Sequence, residues 1–168
     1  MKNFYLLIKS INSKLKILLK TICAIFMALI TLIVLYGVLT RYLFGTQPAF
    51  TEELARMFLI ELTFFGAALA FAEGSHIGLD YLSGKFTENA KRFCAVLSGF
   101  ITMFFVCGFL IYGGCEFVKT SINTANKLVS VNVDFWVVYL CVPISGIFSI
   151  MFLLENFLKN ILNVSEEK

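Results

Sequence analysis

Between Lys20 and Arg41, between Arg92 and Glu116, and between Asp134 and Glu155, the chain runs for 20, 23 and 20 residues without a formal charge. A helix needs about 20 apolar residues to cross the roughly 30 Å hydrocarbon core of a bilayer, so each run can span. The runs lack the alternation of apolar and polar residues that barrel strands require, which argues against a β-barrel. With 59% hydrophobic residues, the chain is too apolar for a soluble domain of ordinary composition.

A fourth span lies in the stretch Arg41 to Asp80, RYLFGTQPAFTEELARMFLIELTFFGAALAFAEGSHIGLD. Glu52 and Glu73 stand about 31 Å apart at 1.5 Å per residue, again the thickness of the hydrocarbon layer. Gly45 and Pro48 make the preceding turn, and Thr51 is expected to cap the helix, with Glu52 and Glu53 where the helix dipole favours negative charge. Glu52 and Glu53 lie four and three residues before Arg56, so either carboxylate can pair with the guanidinium near the interface. Glu61 falls about 14 Å into this helix, near the midplane, where a charge costs about 2.5–3.5 kcal/mol and calls for a partner or a proton.

The expected fold is therefore an all-α membrane protein: four transmembrane helices over about 21–40, 53–72, 93–115 and 135–154, preceded by an amphipathic interfacial helix over 1–20 and followed by a tail over 159–168. In the first segment Phe4, Ile8, Ile11, Leu15 and Leu18 share one side, opposite Lys2, Lys9, Lys16 and Lys20. Its apolar run exceeds the length of a signal-peptide core and no small-x-small cleavage site is evident, so it is expected to remain attached. Lys and Arg residues total ten on one side of the four spans and four on the other, which places both termini in the cytoplasm. That asymmetry accounts for the basic residues, and no nucleic-acid partner is needed.

Small residues mark possible packing faces at Gly66, Ala68, Ala70 and Ala72, at Gly108, Gly113 and Gly114, and at Ser145, Gly146 and Ser149. They either join the four helices or meet another chain. Pro143 sits inside the last span and is expected to bend it. One His cannot ligate a membrane haem on both faces, and His76 with Asp80 falls short of a metal site, so both are read as structural residues at the cytoplasmic interface. Cys23, Cys94, Cys107, Cys115 and Cys141 form no CxxC and are expected to be free, buried thiols. No catalytic, substrate-binding, metal or cofactor motif is found, and no inverted repeat that would build a complete transporter. The chain is expected not to be an enzyme.

The segments RYLFG, FTEELAR, FFGAALAFAEGSHIGLD and DFWVVYLCVPISG, in this order and spacing, resemble the small membrane subunit of tripartite ATP-independent periplasmic (TRAP) transporters over about residues 21–158. The matching positions are Arg41, Glu53, Arg56, Gly66, His76, Asp80 and Pro143, whereas Glu61 stands where the family more often has a large aromatic residue. The resemblance implies a multi-pass subunit of a bacterial inner membrane, acting with a large membrane subunit and a periplasmic substrate-binding protein. Such systems import organic acids, including C4-dicarboxylates and sialic acid, on an ion gradient that is usually sodium. On this reading Arg41, Glu52, Glu53, Arg56, Glu61, Gly66, His76, Asp80 and Pro143 have structural or interface roles, and the N-terminal helix adds membrane lipids as partners. Two alternatives stand beside it: a stand-alone proton-coupled exporter using Glu61, and a quinone-linked membrane enzyme subunit.

Overall fold

The computed structural model describes the backbone over residues 2–73, 88–124, 127–128, 130 and 132–162. Side chains are described over 8–73, 97–124, 127–128, 130 and 132–156. His76 and Asp80 lie outside the described residues. The elements in chain order are α1 (Lys2–Phe44), α2 (Ala49–Ala72), α3 (Glu88–Phe105), a π-helical segment (Val106–Gly113), α4 (Gly114–Thr124), α5 (Phe135–Tyr139) and α6 (Cys141–Leu162).

Among the described residues, four helical stretches are long and apolar enough to cross a membrane: Ile8–Phe44, Ala49–Ala72, Leu97–Thr124 and Phe135–Asn156. The all-helical, four-span class holds. The N-terminal segment, expected as a separate surface helix, is instead the beginning of the 43-residue α1, which at 1.5 Å per residue is about 64 Å long and exceeds the hydrocarbon layer. Its inward side also differs from the expected apolar face: Asn12 and Leu19 are buried, whereas Ile11 and Leu18 are exposed. Contacts to α2 and α6 select this side, because Leu19 joins Ala68 and Phe152 in the core, with Leu15, Phe65, Leu69 and Phe148 packed around them.

α6 is the central helix. It packs against α1, α2 and every segment of the third span, whereas among the described residues the third span touches neither α1 nor α2. The arrangement is a three-helix cluster with the third span laid against the far side of α6, which leaves a groove between α2 and the third span.

The chain turns between α1 and α2 at Gly45, whose φ of +76° is a left-handed conformation that suits glycine, and its N–H bonds the Arg41 carbonyl at 3.0 Å. The helix start differs from the expected one. Pro48, extended at φ −63°, occupies the cap position, and Thr51 lies inside the first turn. There its hydroxyl donates to the Pro48 carbonyl at 2.7 Å and accepts from Gln47 Nε2 at 3.1 Å, so Thr51 is buried as a tie between turn and helix rather than serving as the cap. Pro143 has no N–H to offer the Tyr139 carbonyl, and the last span is interrupted at Leu140, between α5 and α6, as its position predicts.

Among the described residues, three glycines sit at close approaches between elements. A Cβ on Gly146 would meet Ile111 Cγ1 at 2.9 Å and Leu110 Cβ at 3.0 Å. One on Gly114 would meet Val142 Cγ1 at 3.0 Å and the Pro143 nitrogen at 3.2 Å. One on Gly37 would meet the Gln47 amide at 2.9 Å. At Gly66 and Gly108 a Cβ would meet nothing within 4 Å, so these two small residues are not needed for packing inside the subunit. Gly114→Ala is therefore expected to cost about 1–3 kcal/mol by overpacking, and Gly66→Ala to be neutral or slightly stabilising. Thermal unfolding of the two purified variants in one detergent, followed by Trp136 fluorescence, checks this: equal melting temperatures would refute the close-crossing role of Gly114.

Candidate functional site: the two polar ends of the bundle

At the end where α1 turns into α2, Arg56 and Glu52 pair across one helical turn, with Nη2 2.8 Å from Oε1. Both side chains are about 70% exposed. Glu53, the other expected partner of Arg56, accepts the Ser130 backbone N–H at 2.9 Å and so ties α2 to the loop before α5. That loop folds back on itself through a bridge between Lys127 and Asp134, whose side chains lie 3.8 Å apart. Leu128 N–H donates to the Val133 carbonyl at 2.8 Å, and Asn132 takes a positive φ of 52°. Together Glu53, Arg56 and Lys127 rim a cavity of about 180 Å³ with an apolar floor of Met57, Ile60, Leu128, Phe135 and Val138. Arg41 lies apart from this rim, exposed in the last turn of α1, where it lines a shallow opening with Val38, Tyr42, Gly45 and Gln47.

The opposite end is held by a second polar cluster. Lys20 Nζ lies 2.9 Å from Glu73 Oε1, and Lys16 donates to the Ala72 carbonyl at 3.5 Å. Asn12 Nδ2 donates to the Met151 carbonyl at 3.0 Å and to Glu155 Oε2 at 2.7 Å. Asn156 donates to the Phe71 carbonyl at 2.9 Å. α1, α2 and α6 are thus cross-linked in all three pairings. The hydrogen bond and charge of Lys20, with Lys16 behind it, hold the exposed Glu73 carboxyl below its ordinary range.

Glu61 lies between the two ends, half-buried on the side of α2 that faces Cys141, with which it interacts electrostatically. It makes no hydrogen bond or ion pair among the described residues. No group of three His, Cys, Asp or Glu that could hold a metal occurs among the described residues. Cys23, Cys107, Cys115 and Cys141 are free. Of these only Cys141 is buried, and Cys107 and Cys115 point outward, which corrects the expectation of uniformly buried thiols: in a membrane protein an apolar run has a lipid-facing side.

The structure thus joins Glu52 with Arg56, sets Glu53 on the neighbouring loop, leaves Arg41 and Glu61 without ion pairs among the described residues, and packs Pro143 against Gly114. Sequence reasoning missed Asn12, Glu155, Lys20, Glu73 and Asn156. The available signal was a set of polar residues on α1, α2 and α6 close to the same end of the spans, where they can reach one another across the helices.

Four spanning helices, three of them tied to one another by polar contacts at one end and α2 tied to the facing loop at the other, with one isolated carboxyl between, define a multi-pass helical membrane protein. The chain matches the family of Tripartite ATP-independent periplasmic transporters, DctQ component, over residues 30–163, and belongs to it. It is 35% identical over 118 residues to a Haemophilus influenzae protein named as a TRAP transporter small permease, covering 69% of this chain and 68% of that one. It is 29% identical over 143 residues to the sialic acid TRAP transporter small permease protein SiaQ of Vibrio cholerae, covering 83% of this chain and 80% of SiaQ. It is 26% identical over 102 residues to the C4-dicarboxylate TRAP transporter small permease protein DctQ of Rhodobacter capsulatus, covering 61% of this chain and 44% of that protein. The chain is a transporter subunit of an inner-membrane system, and the family is not one of enzymes.

Two outcomes follow for the polar ends. Arg56→Ala is expected to change the stability of the isolated chain by no more than about 1 kcal/mol, because the pair with Glu52 is exposed; a larger loss on chemical unfolding would show that the pair is desolvated. For Glu73 the folded pKa is depressed, so the contribution of its pair with Lys20 is present above the unfolded carboxyl's pKa and is lost as pH falls through the folded value. Melting temperature is therefore expected to hold from neutral pH down to the ordinary carboxylate range and to fall below it. Glu73→Gln should remove part of that acid dependence, and an unchanged acid profile in the variant would rule the pair out as its source.

Proposed function

We propose that this chain is the non-transporting scaffold of a TRAP system: it pairs with a large membrane subunit, which works with a periplasmic binding protein to import an organic acid on an ion gradient, sodium by the resemblance. The observation that carries this reading is the cross-linking of α1, α2 and α6 in all three pairings at the Lys20–Glu73 end, with Glu53 tying α2 to the facing loop at the other, which makes a stiff frame rather than a moving gate. Gly66 and Gly108, small residues with open space beside them, suit close approach by a second chain. SiaQ and DctQ, named for sialic acid and C4-dicarboxylate systems, support a carboxylate as the cargo class.

With both termini cytoplasmic, the Lys20–Glu73 cluster lies inside and the Arg56–Lys127 rim outside. The first 20 residues of α1 then extend past the hydrocarbon on the basic, cytoplasmic side, where anionic lipids attract each lysine by about 1 kcal/mol. Arg41, Arg56, Glu53, His76 and Asp80 keep structural or interface roles in this assembly.

Co-expression with the adjacent large-subunit gene should give a stable complex that takes up substrate in liposomes, whereas this chain alone should not transport. A homodimer that transports by itself would sink the proposal. Glu61→Gln separates the scaffold from a proton-coupled exporter: uptake by the complex should survive it, and abolished uptake with intact assembly would favour the exporter. Spin labels at Ile8 and Lys9 test the placement of the N-terminal residues, since a helix resting on the membrane gives the two positions different water accessibility.

A further inference from the structure

We infer that the groove between α2 and the third span is a binding site for one phospholipid carrying a primary ammonium headgroup, of the phosphatidylethanolamine type. The groove exists because the third span packs on α6 and, among the described residues, does not reach α2. Its larger part, about 410 Å³, is lined among others by Ile60, Phe64, Phe109, Gly113, Phe117 and Tyr139. Ile60 lines both this space and the cavity rimmed by Glu53, Arg56 and Lys127, so the two lie side by side along α2.

Three observations favour a lipid. The first is length. From Glu53 at the rim to Phe64 in the depth is 11 residues of α2, about 16 Å, which is one leaflet of a roughly 30 Å hydrocarbon layer and so the reach of one acyl chain.

The second is shape. Phe109 and Gly113 belong to the eight-residue π-helical segment, and Gly113 presents no side chain to the groove, so the third span is locally rewound along the groove wall.

The third is the charge of the rim. Arg56 spends one contact on Glu52 and has further N–H donors in its fork, and Lys127 Nζ stands 3.8 Å from Asp134. Both can donate to a phosphate. Glu53 is an ionisable acceptor beside them, bonded through Oε2 to the Ser130 N–H, and Glu52 and Asp134 add two further acids. Three acids against two bases disfavour a purely anionic headgroup. They suit a zwitterion whose ammonium donates to Glu53 while its phosphate accepts from Arg56 and Lys127. A quaternary choline has no N–H to give, so choline lipids are disfavoured on the same rim.

The test is lipid retention by the full-length purified chain, exchanged into micelles holding equal amounts of phosphatidylethanolamine, phosphatidylcholine and phosphatidylglycerol with identical acyl chains, and read by native mass spectrometry. One phosphatidylethanolamine per chain is expected, enriched about tenfold over the other two. Lys127→Gln removes a headgroup donor at an exposed position. Gly113→Leu fills the groove from a site where an added Cβ makes only an ordinary 3.7 Å contact with the Gly108 carbonyl. Each variant should lower retention about tenfold while leaving the melting temperature of the lipid-stripped protein unchanged. Retention in proportion to the micelle composition, or retention indifferent to both variants, would overturn the inference. So would expulsion of the lipid when a partner subunit binds, which would assign the groove to a protein helix. None of these readouts involves transport, so the lipid site and the scaffold reading can fail independently.

Discussion

Inside a bilayer no water is present to satisfy a polar group, and the distribution of polar contacts in this subunit follows from that constraint. Within the spans the hydroxyls turn back onto their own helices: Thr31 donates to the Met27 carbonyl at 2.8 Å, Thr63 to Leu59 at 2.7 Å, Thr102 to Ser98 at 2.8 Å and Ser149 to Ser145 at 2.8 Å. These bonds satisfy the donor and create no tie between helices. Bonds that do cross between elements lie at the ends, where lysines, carboxylates and amides are cheaper to place.

The middle of the bundle is consequently held by shape. Leu19, Ala68 and Phe152 close the core of the three-helix cluster, and Gly114 and Gly146 bring the third and fourth spans into contact. Apolar burial drives little association when lipid tails are as apolar as leucine, so small residues that permit close van der Waals contact matter more than large ones. This explains why 39% of the most apolar stretch of the fourth span is buried while the corresponding figure for the first is 6%: one helix serves as the common neighbour and the others present their large side chains to lipid.

That same physics decides what was legible in the sequence. Charge-free runs of 20 or more residues report directly on the hydrocarbon thickness, so three spans could be placed from them, and the fourth from the 21-residue spacing of Glu52 and Glu73. The Glu52–Arg56 pair was legible because it is local, four residues on one helix. Asn12 with Glu155 was not, because 143 residues separate them and only the crossing of α1 with α6 brings them together. The continuity of α1 was also hidden. The lysines up to Lys20 suggest a change of environment, and they do not interrupt a helix, since Lys is a good helix former and no Gly or Pro lies between residues 1 and 36. Thr51 was read as a cap from its residue type, but a proline three residues earlier already fixes the extended geometry a cap needs.

Glu61 is the exception to the rule of ends. Every other carboxylate whose side chain is described lies toward an end of a helix or in a loop, and those at positions 52, 53, 73, 116, 134 and 155 each have a hydrogen-bonding or ionic partner, whereas Glu61 has only its electrostatic interaction with Cys141. A group in that position is stable if it is neutral, or if a second chain supplies a donor. The second requires part of the Glu61 side chain to be reachable from outside the subunit, and its half-buried state leaves such a part. Glu61 does not itself line the groove, whose α2 wall is Ile60 and Phe64, so the molecule that packs on its exposed side, lipid or partner chain, sets the environment in which this carboxyl is either neutral or paired.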